Sequence, residues 1–293
     1  MEITKRGFPF LRADTFLTPK GIRYLKTPGM AMISRPEVDI TGLEDFLKGF
    51  PEDLLYMDYL NDEENLTPAE TLVKAAGQWC YLSLGPDRTK NIDAAKYFRN
   101  IKEQKHGSIM EHVTFTMAIW GVSRSFTHEL VRHRAGCGFS QVSQRYVGEK
   151  ALRFVERPEF VADPVLHKFF IDKIEQHFDD YVWLSDYLYK KQAEGEKALS
   201  AERKSDLRKK VRQTARAELP NETEAPIIVS GNVRAWRNIL EQRVSEHAEV
   251  EIRRVAYNIF ESLKPELPNL LSDYEVVTLS DGTLALKSPY SKV

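Results

Sequence analysis

The chain has almost no cysteine. Two thiols, Cys80 and Cys137, stand in 293 residues. They cannot make a disulfide framework, so the expected compartment is the cytosol. No apolar run approaches the roughly 20 residues that a membrane-spanning helix needs. The opening residues, Met1-Glu2-Ile3-Thr4-Lys5-Arg6, have no apolar core of a secretory signal. Neither sign of charge is in surplus: 42 Lys and Arg stand against 43 Asp and Glu, for a net charge of -1. That excludes a general nucleic-acid coat and leaves room only for local basic pockets. Familiar site signatures are missing too. There is no Gly-x-Gly-x-x-Gly, no Gly-x-x-x-x-Gly-Lys-[Ser/Thr] and no Gly-x-Ser-x-Gly. His106, His112, His128, His133 and Cys137 lack His-x-x-x-His and Cys-x-x-Cys spacing, so no metal site is expected.

What is present is an ordinary globular composition, 42% hydrophobic and 29% charged, with no internal repeat. Residues 1–60 carry no readable chemistry and read as an N-terminal extension, with a short helix over Thr41–Phe50. Thr67-Pro68 forms an N-cap with Pro at the first helical position, opening a helix to about Tyr81. Asp93–Lys102 predicts a second, with Ala94, Tyr97, Phe98 and Ile101 on one face. Val113–Trp120 alternates as a strand with one buried face. Ser125 or Thr127 is the expected cap of a short helix through Val131. Residues 163–217 predict two long helices, broken at Gly195 and restarted from a Ser200 cap. The first carries a stripe of Leu166, Phe170, Ile174, Phe178 and Tyr181; the second turns Leu207, Val211 and Ala215 inward. Ile227–Ser230 reads as a short buried strand. Ala235–Leu263 reads as helix broken near Ser245, and the tail from Ser272 as irregular, with a small hairpin at Asp281-Gly282.

Two clusters suggest chemistry. In the first, Arg132-His133-Arg134 precedes a small, flexible Ala135-Gly136-Cys137-Gly138 link. Gln141, Ser143 and Arg145 follow at alternate positions, which in an extended segment share a face. An amide, a hydroxyl and a guanidinium there suit an anionic, hydrogen-bonding ligand such as a nucleotide phosphate. A cationic triplet at a helix end is also simply a solvated terminus. In the second cluster, Asn232 is placed to cap a helix on which Arg234 and Asn238 lie one turn apart and Arg243 further round. The plain alternative is an amphipathic helix with Trp236, Ile239 and Leu240 in the core.

Together these clusters resemble the flavin-dependent thymidylate synthases. That family's hallmark is Arg-His-Arg, a seven-residue spacer, then Ser and, two further on, Arg. Arg132-His133-Arg134 and Ser143-Gln144-Arg145 match its ends, with an eight-residue spacer from Ala135 to Val142. His106, Ser108 and Glu111-His112 resemble the flavin-contacting segment. Arg216 ahead of Leu219-Pro220 and Asn232-x-Arg234-x-x-x-Asn238-x-x-x-x-Arg243 fall in family order. The resemblance implies methylation of dUMP to dTMP, with methylenetetrahydrofolate as one-carbon donor and NADPH reducing the FAD. It implies that His106, Ser108, Arg132, His133, Arg134, Gln141, Asn232, Arg234 and Asn238 contact FAD. Arg132, Ser143, Arg145, Arg216 and Arg243 would contact dUMP, with Arg243 the catalytic group beside the pyrimidine. Gln141 stands where some members have Glu. Glu129 stands where some have a dUMP-contacting Gln, and a carboxylate there suits a phosphate-rich site poorly, so it is left out of the site.

The implied fold is α+β: a mixed sheet packed with long helices in one domain over 61–272. Residues 1–60 are the extension, 163–210 a helical insertion and 273–293 a tail. The implied assembly is a homotetramer with active sites shared between chains, with no nucleic-acid or membrane partner. The rival reading is a non-catalytic nucleotide- or RNA-binding module using the same arginines. Neither cysteine is expected to act: Cys80 is expected to pack as a small apolar side chain, and Cys137 sits in the flexible link.

Overall fold

A computed structural model describes residues 1–63, 65–194 and 201–290. The expected break at Gly195 and cap at Ser200 lie outside the described residues. In chain order the strands are β1 (Glu2–Ile3), β2 (Pro9–Leu11), β3 (Thr15–Leu17), β4 (Arg23–Leu25), β5 (Gly29–Ser34), β6 (Thr114–Trp120), β7 (Cys137–Gln141), β8 (Arg153–Val155), β9 (Ile227–Asn232), β10 (Glu275–Thr278) and β11 (Leu284–Lys287). The α-helices are α1 (Glu44–Lys48), α2 (Pro68–Trp79), α3 (Ala94–Glu103), α4 (Arg124–Leu130), α5 (Pro158–Val161), α6 (Pro164–Ala193), α7 (Ala201–Ala215), α8 (Val233–Arg243) and α9 (Val250–Leu263). This is the expected α+β class.

The organising sheet has the order β1-β2-β5-β6-β9-β7, antiparallel throughout. Parallel pairing occurs between β4 and β8, in a smaller sheet of order β3-β4-β8. Alternation in β6 decides which face is inside: Phe115, Met117 and Ile119 are buried while Thr114 is exposed. The buried side packs on α8 and α9 through Trp236, Ile239, Leu240, Ile252, Val255 and Phe260. Trp236 lies so close beneath β9 that a Cβ on Gly231 would come within 2.9 Å of its ring.

The structure corrects several expectations. Residues 1–34, expected as an extension, supply β1, β2 and β5 to the main sheet, and Met30 and Met32 enter its core. Strand pairing is non-local, and nothing within Gly29–Ser34 names β6 as its partner. The strand at Ile227 runs on to Asn232 and is buried on one face only, since Ile228 is 42% exposed. Helix α4 is capped by Ser123, not Ser125 or Thr127. The Ser123 Oγ accepts from the Phe126 amide and donates to Glu251 on α9, a tertiary contact that selects one hydroxyl among three. Helix α2 stops at Trp79, leaving Cys80 exposed rather than packed. Thr67 caps α2 as expected, and the tail forms the β10–β11 hairpin.

That hairpin is bolted down by charge. Asp273 receives both Arg237 terminal nitrogens at 2.9 Å, Lys102 Nζ at 2.8 Å and the Ser288 hydroxyl. Burial pushes its carboxyl up, but the hydrogen bonds and charge of Arg237, with Lys102 and Ser288, bring it down to about 2. Arg237, on α8, is thereby held fixed beneath the site.

Candidate active site

Strand β9 has two ends, and each gathers one group of the arginines singled out above. At its C-terminal end Asn232 caps α8, its Oδ1 accepting from the Ala235 amide at 2.8 Å. The Asn232 amide donates to the Gly136 carbonyl at 3.0 Å. Gly136 has φ +71°, and a Cβ there would meet the Asn232 side chain at 2.7 Å. The expected flexible link is therefore a fitted turn. Cys137 and Gly138 continue it as paired strand, opposite Gly231 and Ser230. Burial raises the Cys137 thiol's pKa, which disfavours the thiolate.

A cavity of about 490 Å³ opens here, lined by Asn232, Arg234, Asn238, Glu111, Ala135 and Gly136 among others. Arg234 pairs with Glu111 at 2.6 Å, both side chains being nearly half exposed. Such a pair is weak in water, and an anionic ligand can compete for its cation. Next to the cavity His133 is buried between exposed Arg132 and Arg134. Asn238 Nδ2 lies 3.5 Å from its Nδ1, and Arg243 Nε donates to its Nε2 at 2.9 Å. Accepting from a guanidinium requires an unprotonated Nε2. Burial, then the Arg243 charge, lowers the imidazole's pKa accordingly.

Arg243 is further held by Glu129. Its Nη1 donates to Glu129 Oε2 at 2.7 Å and its Nη2 to the Glu129 carbonyl at 3.3 Å. Glu129 thus belongs to the constellation, against the sequence reading that left it out: it faces the guanidinium. Three of the five guanidinium N–H groups are engaged, leaving two for a ligand.

At the N-terminal end of β9, Pro226 has no N–H to give, and the ladder with β7 finishes as Val142 N donates to its carbonyl. The chain then turns. The expected shared face of Gln141, Ser143 and Arg145 is not formed: Gln141 ends β7, while Ser143 opens a turn by accepting from the Tyr146 and Val147 amides at its carbonyl. Arg145 lies inside that turn, donating to the Tyr146 hydroxyl at 3.0 Å. Arg216 begins a 3-10 turn after α7. Arg124 lies in its electrostatic field: burial first, and then the Arg216 charge, lowers the Arg124 pKa. None of Arg124, Arg145 and Arg216 has a carboxylate partner among the described residues. Arg124 was missed in the sequence, although it has no acid three or four residues away on its helix.

His106 and Ser108 line a different cavity, of about 490 Å³, with Gln78, Tyr81 and Asn100. One subunit therefore does not bring all the selected residues together. Among the described residues no group of three or more His, Cys, Asp or Glu side chains is arranged to hold a metal.

A family model described as thymidylate synthase complementing protein matches residues 64–269, running through the α6–α7 pair that the sequence reading set apart. The flavin-dependent thymidylate synthase of Corynebacterium efficiens is 44% identical over 224 residues, covering 76% of this chain and 86% of that protein. That of Mycobacterium tuberculosis is 42% identical over 218 residues, covering 74% and 84%. Two solved structures share the fold. Thymidylate synthase X from Helicobacter pylori, with FAD and dUMP, gives a TM-score of 0.51 at 24% identity, covering 70% of this chain and 93% of that one. The UMP/dUMP methylase PolB from Streptomyces cacaoi, bound with 5-Br dUMP, gives 0.55 at 17% identity, covering 84% and 94%.

Proposed function

Because the chain belongs to the flavin-dependent thymidylate synthase family, we propose that it methylates dUMP to dTMP with bound FAD, taking the one-carbon unit from methylenetetrahydrofolate and reducing equivalents from NADPH. The observation that carries this reading is the single constellation of Asn232, Arg234, Asn238, His133 and Arg243 built around the Gly136 turn. Its donor set fits the cofactor: amides and a neutral imidazole suit a heterocycle's polar edge, and Arg132, Arg134 and Arg234 suit a pyrophosphate. With His106, Ser108 and Gln141 these are the proposed FAD contacts. FAD supplies the two-electron chemistry when bound; the protein orients and polarises.

Arg243 is the proposed catalytic residue. His133 and Glu129 fix its plane before any substrate arrives. Its two remaining N–H groups then meet charge that builds on the pyrimidine ring as C5 becomes nucleophilic, without reorganisation at that moment. Ser143, Arg145 and Arg216, with Arg132, are the proposed dUMP contacts. Guanidiniums without a carboxylate partner suit a phosphate dianion, which neutralises their mutual repulsion.

The proposed sites are shared between the subunits of a homotetramer, because one subunit does not gather every selected residue: His106 and Ser108 line a cavity apart from that of Asn232, Arg234 and Asn238. The cytosol suits both cysteines. The test is direct: purified protein titrated with FAD should gain flavin absorbance near ~450 nm and convert dUMP to dTMP when methylenetetrahydrofolate and NADPH are both present. Failure to retain flavin under any condition, with strongly salt-dependent binding of many anions, would favour the non-catalytic nucleotide-binding alternative.

A further inference from the structure

Helix α6 is thirty residues long and buries one stripe, Phe170, Ile174 and Tyr181, against β4, β8 and α7. A second apolar set lies on its outer face. Val165 is 77% exposed, Phe169 53%, Trp183 66% and Tyr187 51%. Eighteen residues are five helical turns, so Trp183 lies directly above Val165, and Tyr187 above Phe169. Trp183 and Tyr187 stack at 5.6 Å with ring planes 13° apart, making one flat aromatic surface. Four large apolar side chains in register on a solvent-facing helix mark a contact surface rather than scattered exposure.

The pattern is symmetric about exposed Gln176. Phe169 and Trp183 are each seven residues from it, and Val165 and Tyr187 each eleven. That is the arrangement an isologous antiparallel contact requires, since a two-fold axis through Gln176 brings each apolar patch onto the other patch of the second helix. We propose that this face of α6 pairs with the same face of a second copy of this chain, antiparallel and centred on Gln176.

The charges agree with this register. On one flank, Lys173 of one copy comes level with Asp180 of the other; within its own chain Lys173 donates to Gln176 at 3.3 Å and lies over the Phe169 ring at 6.0 Å, with no carboxylate partner among the described residues. On the other flank, Lys168 approaches the level of Asp186. The like-charged Asp172 and Asp179 also meet there, but each already has a cation in its own chain: Lys168 at 2.7 Å and Lys20 at 2.6 Å. A parallel two-fold arrangement would instead bring Asp180 beside Asp179 of the second copy and leave each patch stacked on its own copy. The proposal does not depend on the flavin chemistry, and its face is remote in sequence from every residue assigned to the site.

The test uses the full chain in solution. Light scattering of Phe169→Glu and Trp183→Glu should show particles of half the wild-type mass, with the helical melt unchanged because both side chains are exposed. Phe169→Trp should keep the wild-type mass. Lys173→Asp and Asp180→Lys should each weaken assembly, and together restore it. Gln176→Cys in a Cys80→Ser background should give a disulfide-linked dimer on mild oxidation, because the two positions meet at the axis. A mass unmoved by both Glu variants would overturn the proposal. Halved mass in the Glu variants, with no cross-linked dimer from Gln176→Cys, would overturn the antiparallel self-pairing.

Discussion

The two ends of β9 hold arginines in opposite states. At the Asn232 end, and along the helix α8 that Asn232 opens, every buried or half-buried guanidinium is matched: Arg243 to Glu129 and His133, Arg237 to Asp273, Arg234 to Glu111. At the Pro226 end Arg124, Arg145 and Arg216 have no carboxylate among the described residues, and burial and then the Arg216 charge disfavour that of Arg124. A matched cation is already oriented and can act on a ligand whose charge changes during reaction. An unmatched one is in want of an anion and gains most from a ligand whose charge is permanent. Direction is the product of the first end, affinity that of the second.

The largest expected effect is at the oriented end. Arg243→Ala should lower dUMP methylation by ~10²–10³-fold, as loss of a preorganised donor does, with FAD still bound. Steady-state rates beside flavin absorbance check this; a loss seen only in the dUMP KM would erase the distinction between the ends. Next, Arg145→Ala should weaken dUMP binding by about 1.5–3 kcal/mol and leave FAD binding alone. Calorimetric titration of each ligand decides, and equal losses of both would point to a folding defect. Smaller still are the thiols. Cys80→Ala, Cys137→Ala and the double variant should stay within about tenfold of wild-type rate, roughly 1.4 kcal/mol of barrier. Cys137 has the position for a nucleophile beside the cationic triplet but a thiol that burial keeps protonated. A several-hundred-fold collapse of the Cys137→Ala rate, with FAD still bound, would make it the residue to explain.

The smallest effect sharpens the picture of the matched end. Burial and Arg243 depress the pKa of His133, so as pH falls the unfolded chain takes up this proton first. The stabilisation is complete above about pH 6.5 and is lost as pH drops toward the folded-state value. Thermal melts across this window should fall more steeply for wild type than for His133→Gln. Parallel curves would mean the imidazole is not held neutral by its surroundings.

Much of the matched end was legible. Helical spacing of Arg234 and Asn238, the Asn232 cap and the break near Ser245 all follow from local rules, and the structure forms each of them. The α2 cap was legible because Thr-Pro admits few conformations. What escaped depended on distant partners. Ser123 is chosen over Ser125 and Thr127 by Glu251, on a helix far along the chain. The turn at Ser143 is imposed by where Pro226 ends the neighbouring strand. Glu129 looked unsuited to a phosphate site because its true neighbour, Arg243, lies 114 residues away. Gly136 was read as freedom where it is a close fit.

The Asp273 bolt has a consequence for synthesis. All the residues assigned to the site have been translated by Arg243, yet Arg237 on the same helix lacks the carboxylate that accepts from both its terminal nitrogens until Asp273 is made. A buried guanidinium without its hydrogen-bonded partner is costly enough to disfavour docking of α8. On the ribosome, therefore, the complete set of site residues exists before the pocket does. The shape of the site is set by a stretch of tail that touches no ligand, and ribosome-stalled chains ending before residue 273 should expose α8 to protease while chains released in full should protect it.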